Sequence, residues 1–127
     1  CNISAVKMGK ATHGCGGFKK NRQALLYLLS DREGSLKVGI TGMKHSYARL
    51  QHHRQHGWDV VHTVEKRSGY AVARWEQEVL SWWRNELLAP MTKTAEDMPQ
   101  GGFTETASIR KVGMKNTINY IESLVTA

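Results

Sequence analysis

The stretch ALLYLLSDREGSLKVGIT, residues 24–41, decides the fold. ALLYLL is a short apolar run bounded by polar residues and reads as a buried strand. SDREGS follows, with Asp, Gly and Ser in turn-forming positions, and LKVGIT reads as a second strand. Two strands joined by a short polar loop make a hairpin. A turn centred near Arg32 sets Tyr27 opposite Lys37. Side chains directly opposite share one face of a sheet, so the hairpin brings a phenol and an ammonium together. Gly39, two residues on, lies on the same face, where the missing side chain lets another group approach the backbone.

Downstream, the pattern switches to helix from about Met43 to His56, with Gly57 as its stop. This segment has little apolar content beyond Tyr47, Ala48 and Leu50, but His45, Arg49 and His53 recur every four residues and stack on one face. WDVVHTVEK (58–66) reads as a third strand, with Val60, His62 and Val64 alternating against Val61 and Thr63. The strongest helix spans about Tyr70 to Leu88, closed by Pro90. Its apolar stripe is Val72, Val79, Leu80, Trp83 and Leu87. Glu76 falls on that stripe and Glu78 does not. A carboxylate on the core side of a helix is costly unless it is paired or holds a metal. An ion pair with Arg49 or a lysine is the plain structural alternative. Trp58, Trp75 and Trp83 read as core residues, and Trp82, off the main stripe, is the one that could instead stack on bases. A loop-rich stretch leads through Gly101 and Gly102 to a short strand over 103–109, and an amphipathic helix from about Lys111 to Ser123 ends the pattern. The expected fold class is α/β (α+β): a small, mostly antiparallel sheet of three to four strands flanked by helices.

At 127 residues the chain suits one domain and one core. Its 18 Lys+Arg against 11 Asp+Glu leave a net charge of +7, which favours a polyanion such as nucleic acid. The longest apolar run, Ala24–Leu29, is far too short to span a membrane, and no secretory leader is expected. Two cysteines do not make a disulfide framework, so a reducing, cytoplasmic setting is expected. Residues 1–23 show no periodicity and read as a basic irregular arm, with Lys19 and Lys20 available for backbone phosphates. Cys1, His13 and Cys15 are zinc-ligating residue types without the closely spaced Cys pair of structural zinc sites, so a zinc site there stands as the alternative to a plain arm.

YLL at 27–29, KVG at 37–39, an Arg within the following helix and E-Q-E-V-L at 76–80 together resemble the GIY-YIG nuclease superfamily. The match is to its divergent branch, in which K-[VI]-G replaces Y-I-G. The resemblance covers about Leu25 to Glu105, and the Glu105-Thr106 segment after Gly-Gly is similar to that branch's closing strand. Residues 24–109 would then be the nuclease-like domain, with the helix of 110–127 packed on it. The first signature departs from the family by having Leu25-Leu26 in place of Gly-Ile, and Lys37 stands where the second Tyr usually does. The resemblance implies a divalent-metal-dependent endonuclease that cuts DNA by a one-metal hydrolysis. Tyr27 would activate the attacking water, with Lys37 favouring its phenolate. Arg49 would hold the scissile phosphate, and His53 would support the phosphate or the leaving group. Glu76 would be the sole protein ligand of Mg²⁺ or Mn²⁺. Lys44 and Arg54 would join Lys19 and Lys20 in binding nucleic acid. Family members of this size commonly borrow specificity from a fused domain or partner protein, and the similar branch includes some restriction enzymes and many phage and bacterial proteins of unknown role.

Each residue also has a plain reading. Tyr27 could be an ordinary strand residue with its hydroxyl at the surface, Lys37 a charge that discourages edge pairing, and His53 a helix-surface histidine. Two other functions compete with the nuclease: a nuclease-like module that binds nucleic acid without cutting, and an accessory component of a phage or mobile-element assembly.

Overall fold

Residues 24–41 form the expected hairpin in a computed structural model that describes residues 18–127. The candidate zinc ligands Cys1, His13 and Cys15 lie outside the described residues. Strand β1 (Gln23–Ser30) pairs antiparallel with β2 (Ser35–Gly42). The connecting turn is built by Asp31, whose Oδ1 accepts the Glu33 amide at 3.0 Å and the Ser35 amide at 2.8 Å. Gly34 takes the left-handed conformation (φ +90) that completes it. This turn centres one residue later than the sequence suggests, so Ser30 pairs with Leu36 and Tyr27 faces Gly39. Lys37 faces Leu29 instead of Tyr27. The register moves by two residues, which preserves the alternation. Tyr27 and Lys37 therefore still share a face, as diagonal neighbours.

The sheet has four antiparallel strands in the order β3-β1-β2-β4, and the fold is α+β. A turn of 3₁₀ helix (Met43–His45) leads into α1 (Ser46–Gln55), which stops at Gly57 (φ +88). Strand β3 (Asp59–Ser68) runs back along β1. Helix α2 (Gly69–Ser81) is capped by Ser68, whose Oγ accepts the Ala71 amide at 3.1 Å, and it widens into a π-type turn over Trp82–Glu86. The expected 103–109 strand is only three residues long (β4, Thr106–Ser108), because Phe103–Glu105 wind into a 3₁₀ turn. The last helical segment also differs. α3 (Ile109–Val112) and α4 (Met114–Thr126) are separated at Gly113 (φ +76), which no continuous helix accommodates.

Two bulges in β3 overturn the simple alternation expected there. Leu28 pairs with His62 but Leu29 pairs with Val60, which leaves Val61 as an extra residue. Val60 consequently packs with Leu25, Tyr27 and Leu29, while Val64 belongs to the cluster on the opposite face. The second irregularity lies between the partners of Ala24 and Leu26, where Lys66 adopts a positive φ of 56.

The sheet is covered on both faces. Ala24, Leu26, Leu28, Leu36 and Val38 pack under Val72, Val79 and Trp83 of the α2 segment and Ile121 of α4. The other face carries Leu25, Tyr27 and Leu29 against Leu50 of α1, Trp58 and Met98. The tryptophans serve packing. Trp83 is fully buried and its Nε1–H donates to Thr117 Oγ1 at 3.2 Å, and Trp82 stacks on Tyr120 with centroids 4.2 Å apart. Among the described residues no helix is long and apolar enough to cross a membrane.

Candidate active site

Under α1 the sheet face carries polar groups where a core would be expected. Tyr27 projects from the middle of β1 and is fully buried. Its ring lies over Gly39, where any Cβ would overlap the ring carbon Cζ and the hydroxyl, so the phenol occupies space that only glycine leaves open. The Tyr27 hydroxyl sits 3.2 Å from His53 Nε2. Lys37 is fully buried as well. Its Nζ donates to the Tyr27 hydroxyl at 3.5 Å, to the Val38 carbonyl at 3.3 Å and to Glu105 Oε1 at 3.4 Å. Three acceptors match the three donors of an ammonium. Burial works to lower the Lys37 pKa, but Tyr27, Glu105 and Glu76 outweigh it, and the net shift is upward. The lysine thus keeps its charge.

His53 comes from α1 and is 1% exposed, not the helix-surface histidine of the plain reading. Burial first, then the charges of Lys37, Arg49 and His52, push its pKa down from 6.5 to about 2. The ring is neutral at ordinary pH, so its Nε2 can accept a hydrogen bond from the Tyr27 hydroxyl. Its Nδ1 is buried without a partner among the described residues.

Glu76 is buried on α2, and its Oε2 also lacks a hydrogen-bond partner among the described residues. Its carboxyl is raised well above the usual range by burial, by the charge of Glu105 and by a hydrogen bond to Glu105. Glu105 moves the other way: burial works to raise it, but Lys37 and the Glu76 hydrogen bond bring it below the usual value. Burial and the neighbouring carboxylate thus favour the protonated form of Glu76, while Lys37 favours the ionised form of Glu105. Arg49 is half-buried, its charge reaches both Lys37 and His53, and its Nε is buried without a partner among the described residues.

Glu105 is the residue the sequence did not single out as functional. Strand β4 pairs Thr106 with Lys37, which puts Glu105 beside the ammonium. Arg84 fixes the segment on both sides: its Nη2 donates to the Thr104 carbonyl at 2.7 Å and the Thr106 carbonyl at 2.8 Å, and its Nη1 donates to the Ala89 carbonyl at 2.8 Å. Gly102 (φ +94) lets the Lys37 stem pass, since a Cβ there would overlap Cε. The Gly-Gly-x-x-Glu spacing is the one local signal for this arrangement, and it acquires meaning only once Lys37, 68 residues away, is placed.

The donor set fits a hard divalent cation. Glu76 and Glu105 offer carboxylate oxygens, one of them buried and unpartnered among the described residues, and Mg²⁺ or Mn²⁺ takes one or two carboxylates with water and phosphate oxygens completing the shell. Among the described residues no three His, Cys, Asp or Glu side chains gather into a closed cage.

The expected nucleic-acid contacts separate into two places. Lys19 and Lys44 line one pocket, and Lys20 adjoins it in sequence. Arg54 instead lines a mixed-charge groove with Asp31, Glu33 and Asp97. Comparison of the chain with protein-family models, with curated proteins and with solved structures finds no match.

Proposed function

We propose that this chain is a divalent-metal-dependent endonuclease of the GIY-YIG type, hydrolysing phosphodiester bonds in DNA within the cytoplasm of a bacterial or phage-infected cell. The observation that carries the reading is the convergence of Tyr27, Lys37, His53 and Glu76 from β1, β2, α1 and α2 into one buried cluster with Arg49 beside it. A structural ion-pair network accounts for Lys37 and Glu105. It leaves Glu76 Oε2, Arg49 Nε and His53 Nδ1 buried without partners among the described residues, at roughly 1–3 kcal/mol each. A phosphate and a cation would supply those partners.

The roles follow from the contacts. Neutral His53 hydrogen-bonds the Tyr27 oxygen through Nε2 and orients it, and the Lys37 ammonium favours the phenolate formed when that hydroxyl releases its proton to solvent. That phenolate draws a proton from the attacking water. The guanidinium of Arg49 holds the scissile phosphate and offsets its growing charge. Glu76, with Glu105 alongside, would hold a divalent cation, which would supply Lewis-acid chemistry at the phosphate.

The test is nicking of supercoiled plasmid by wild type, Glu76→Gln and Tyr27→Phe, with Mg²⁺ or with EDTA. Nicking that needs Mg²⁺ and falls by at least about a hundredfold in each variant is the expected result. A wild type that shifts DNA in a gel but cuts none with either Mg²⁺ or Mn²⁺ would favour a binding module. Absence of DNA binding even at low salt would favour a role in a protein assembly.

A further inference from the structure

A pocket of about 430 Å³ opens between the 19–23 segment and the 42–45 turn. Lys19, Arg22, Lys44 and His45 line it, and no acidic side chain is among the described residues that do. Both walls are built. Arg22 N–H donates to the Lys19 carbonyl at 3.1 Å, and the first amides of α2 hold the same segment: Gly69 N–H donates to the Arg22 carbonyl at 2.9 Å and Tyr70 N–H to the Lys20 carbonyl at 3.0 Å. Gly69 permits this approach, since a Cβ there would lie 2.6 Å from Lys20 Cα. The opposite wall is the turn that joins β2 to α1.

None of the four side chains forms an ion pair or hydrogen bond with a described residue. The groove at the other end of the β1–β2 hairpin differs, because there Lys93 is paired with Asp31 and Glu33. Uncompensated like charges around a concavity raise its potential and draw in an anion. The pocket also has a defined relation to the cluster described above. His45 precedes Arg49 by four residues, about 6 Å of helix rise, and each phosphate of one duplex strand occupies about 3.4 Å of axis. A strand whose phosphate lies on Arg49 would therefore bring another within reach of the pocket a few nucleotides away. Two exposed aromatics lie near its walls: Tyr47, 77% exposed, follows His45 by two residues, and Tyr70, 64% exposed, is the residue bound to Lys20. Exposed aromatics beside cations suit stacking on bases.

We propose that this pocket is a second phosphodiester subsite, which grips the nucleic-acid backbone a few nucleotides from the phosphate at Arg49. The choice of strand rests on the nuclease reading, whereas the affinity of the pocket for a backbone phosphate does not need cleavage.

Binding of a labelled DNA oligonucleotide in EDTA, followed over a KCl titration, separates the two. The variants are K19Q/R22Q/K44Q and a charge-matched control, K66Q/R110Q/K111Q, whose residues are exposed and lie outside the pocket. The pocket variant is expected to bind roughly tenfold or more weakly at low salt, with a salt slope shallower by about 0.7–0.9 for each phosphate it no longer neutralises. The control is expected to weaken less, and the thermal unfolding of both to match wild type, because all six side chains are exposed. Equal weakening in the two variants would overturn the subsite in favour of diffuse charge attraction. So would unchanged DNA binding in the pocket variant accompanied by failure to bind phosphatidylserine vesicles that wild type binds. A wild type that binds this way but never cuts would refute the nuclease and leave the subsite standing.

Discussion

His53 is the neutral member of a charged cluster, and its neutrality has a measurable consequence. In the folded chain its pKa lies near 2, against 6.5 when unfolded. Between those values the unfolded chain binds a proton that the folded chain refuses. The stability this group contributes is therefore present above pH 6.5 and lost as pH falls, at up to about 1.4 kcal/mol per unit. Glu76 works in the opposite sense, because its raised carboxyl pKa favours the folded state at low pH. A comparison of wild type with His53→Gln isolates the histidine. The stability advantage of wild type over the variant in urea unfolding should shrink steadily from pH 7 to pH 5, and an advantage that stays constant or grows would mean that His53 is not held neutral by burial. At this scale the sequence spoke clearly where residues share a local period. Tyr27, Lys37 and Gly39 fall on one face by alternation alone, and a two-residue error in register does not disturb that. It was silent on Glu105, whose partner is set by strand pairing across 68 residues, and on the burial of His53, which sits on a helix with almost no apolar stripe.

The elements show the same division. Strands β1 and β2 and helix α2 were legible because an apolar run or stripe marks each of them. Strand β3 was legible in extent but not in orientation, because bulges at Val61 and near Lys66 swap its faces and carry no compositional mark. Strand β4 is three residues long and could not be read from periodicity at all. What holds it is Arg84, whose planar fork reaches carbonyls at both sides of Glu105 and at Ala89. Arg84→Ala leaves these three carbonyls without that donor, and a loss on the order of 2–4 kcal/mol is expected. The loss should begin locally: amide exchange at 106–108 should speed up before that of β1. Arg84→Lys keeps the charge but not the fork and should fall between. If exchange instead rises evenly across the sheet, Arg84 is a general packing residue and not the clamp that sets Glu105.

For the molecule as a whole, the sheet divides the interior into unequal halves. The face under α2 and α4 gathers a large apolar cluster, and Ile121 of α4 makes the C-terminal helix part of it, although that helix lies beyond the segment with the nuclease resemblance. The face under α1 is smaller and carries the buried Tyr27, Lys37 and His53 in place of further hydrocarbon. Of the ten residues of α1 only Leu50 and His53 are buried. Full burial of one leucine contributes about 1.5–3 kcal/mol, and a helix of this length has little stability of its own in water. The helix that carries Arg49 and His53 is therefore held far less firmly than the strands beneath it, so it can open without the rest unfolding. Native-state hydrogen exchange should show this as protection in 46–55 that is lower by several kcal/mol than in β1 or α2, with little dependence on low denaturant. On the proposed nuclease reading, adding Mg²⁺ and a DNA oligonucleotide to the Tyr27→Phe variant, which would not turn over, should raise protection in 46–55 more than anywhere else in the chain, because Arg49 would gain its partner there. Equal protection of α1 and β1 in the free protein would show that the polar contacts of His53 bind the helix as firmly as hydrocarbon does, and that the site is rigid before any ligand arrives.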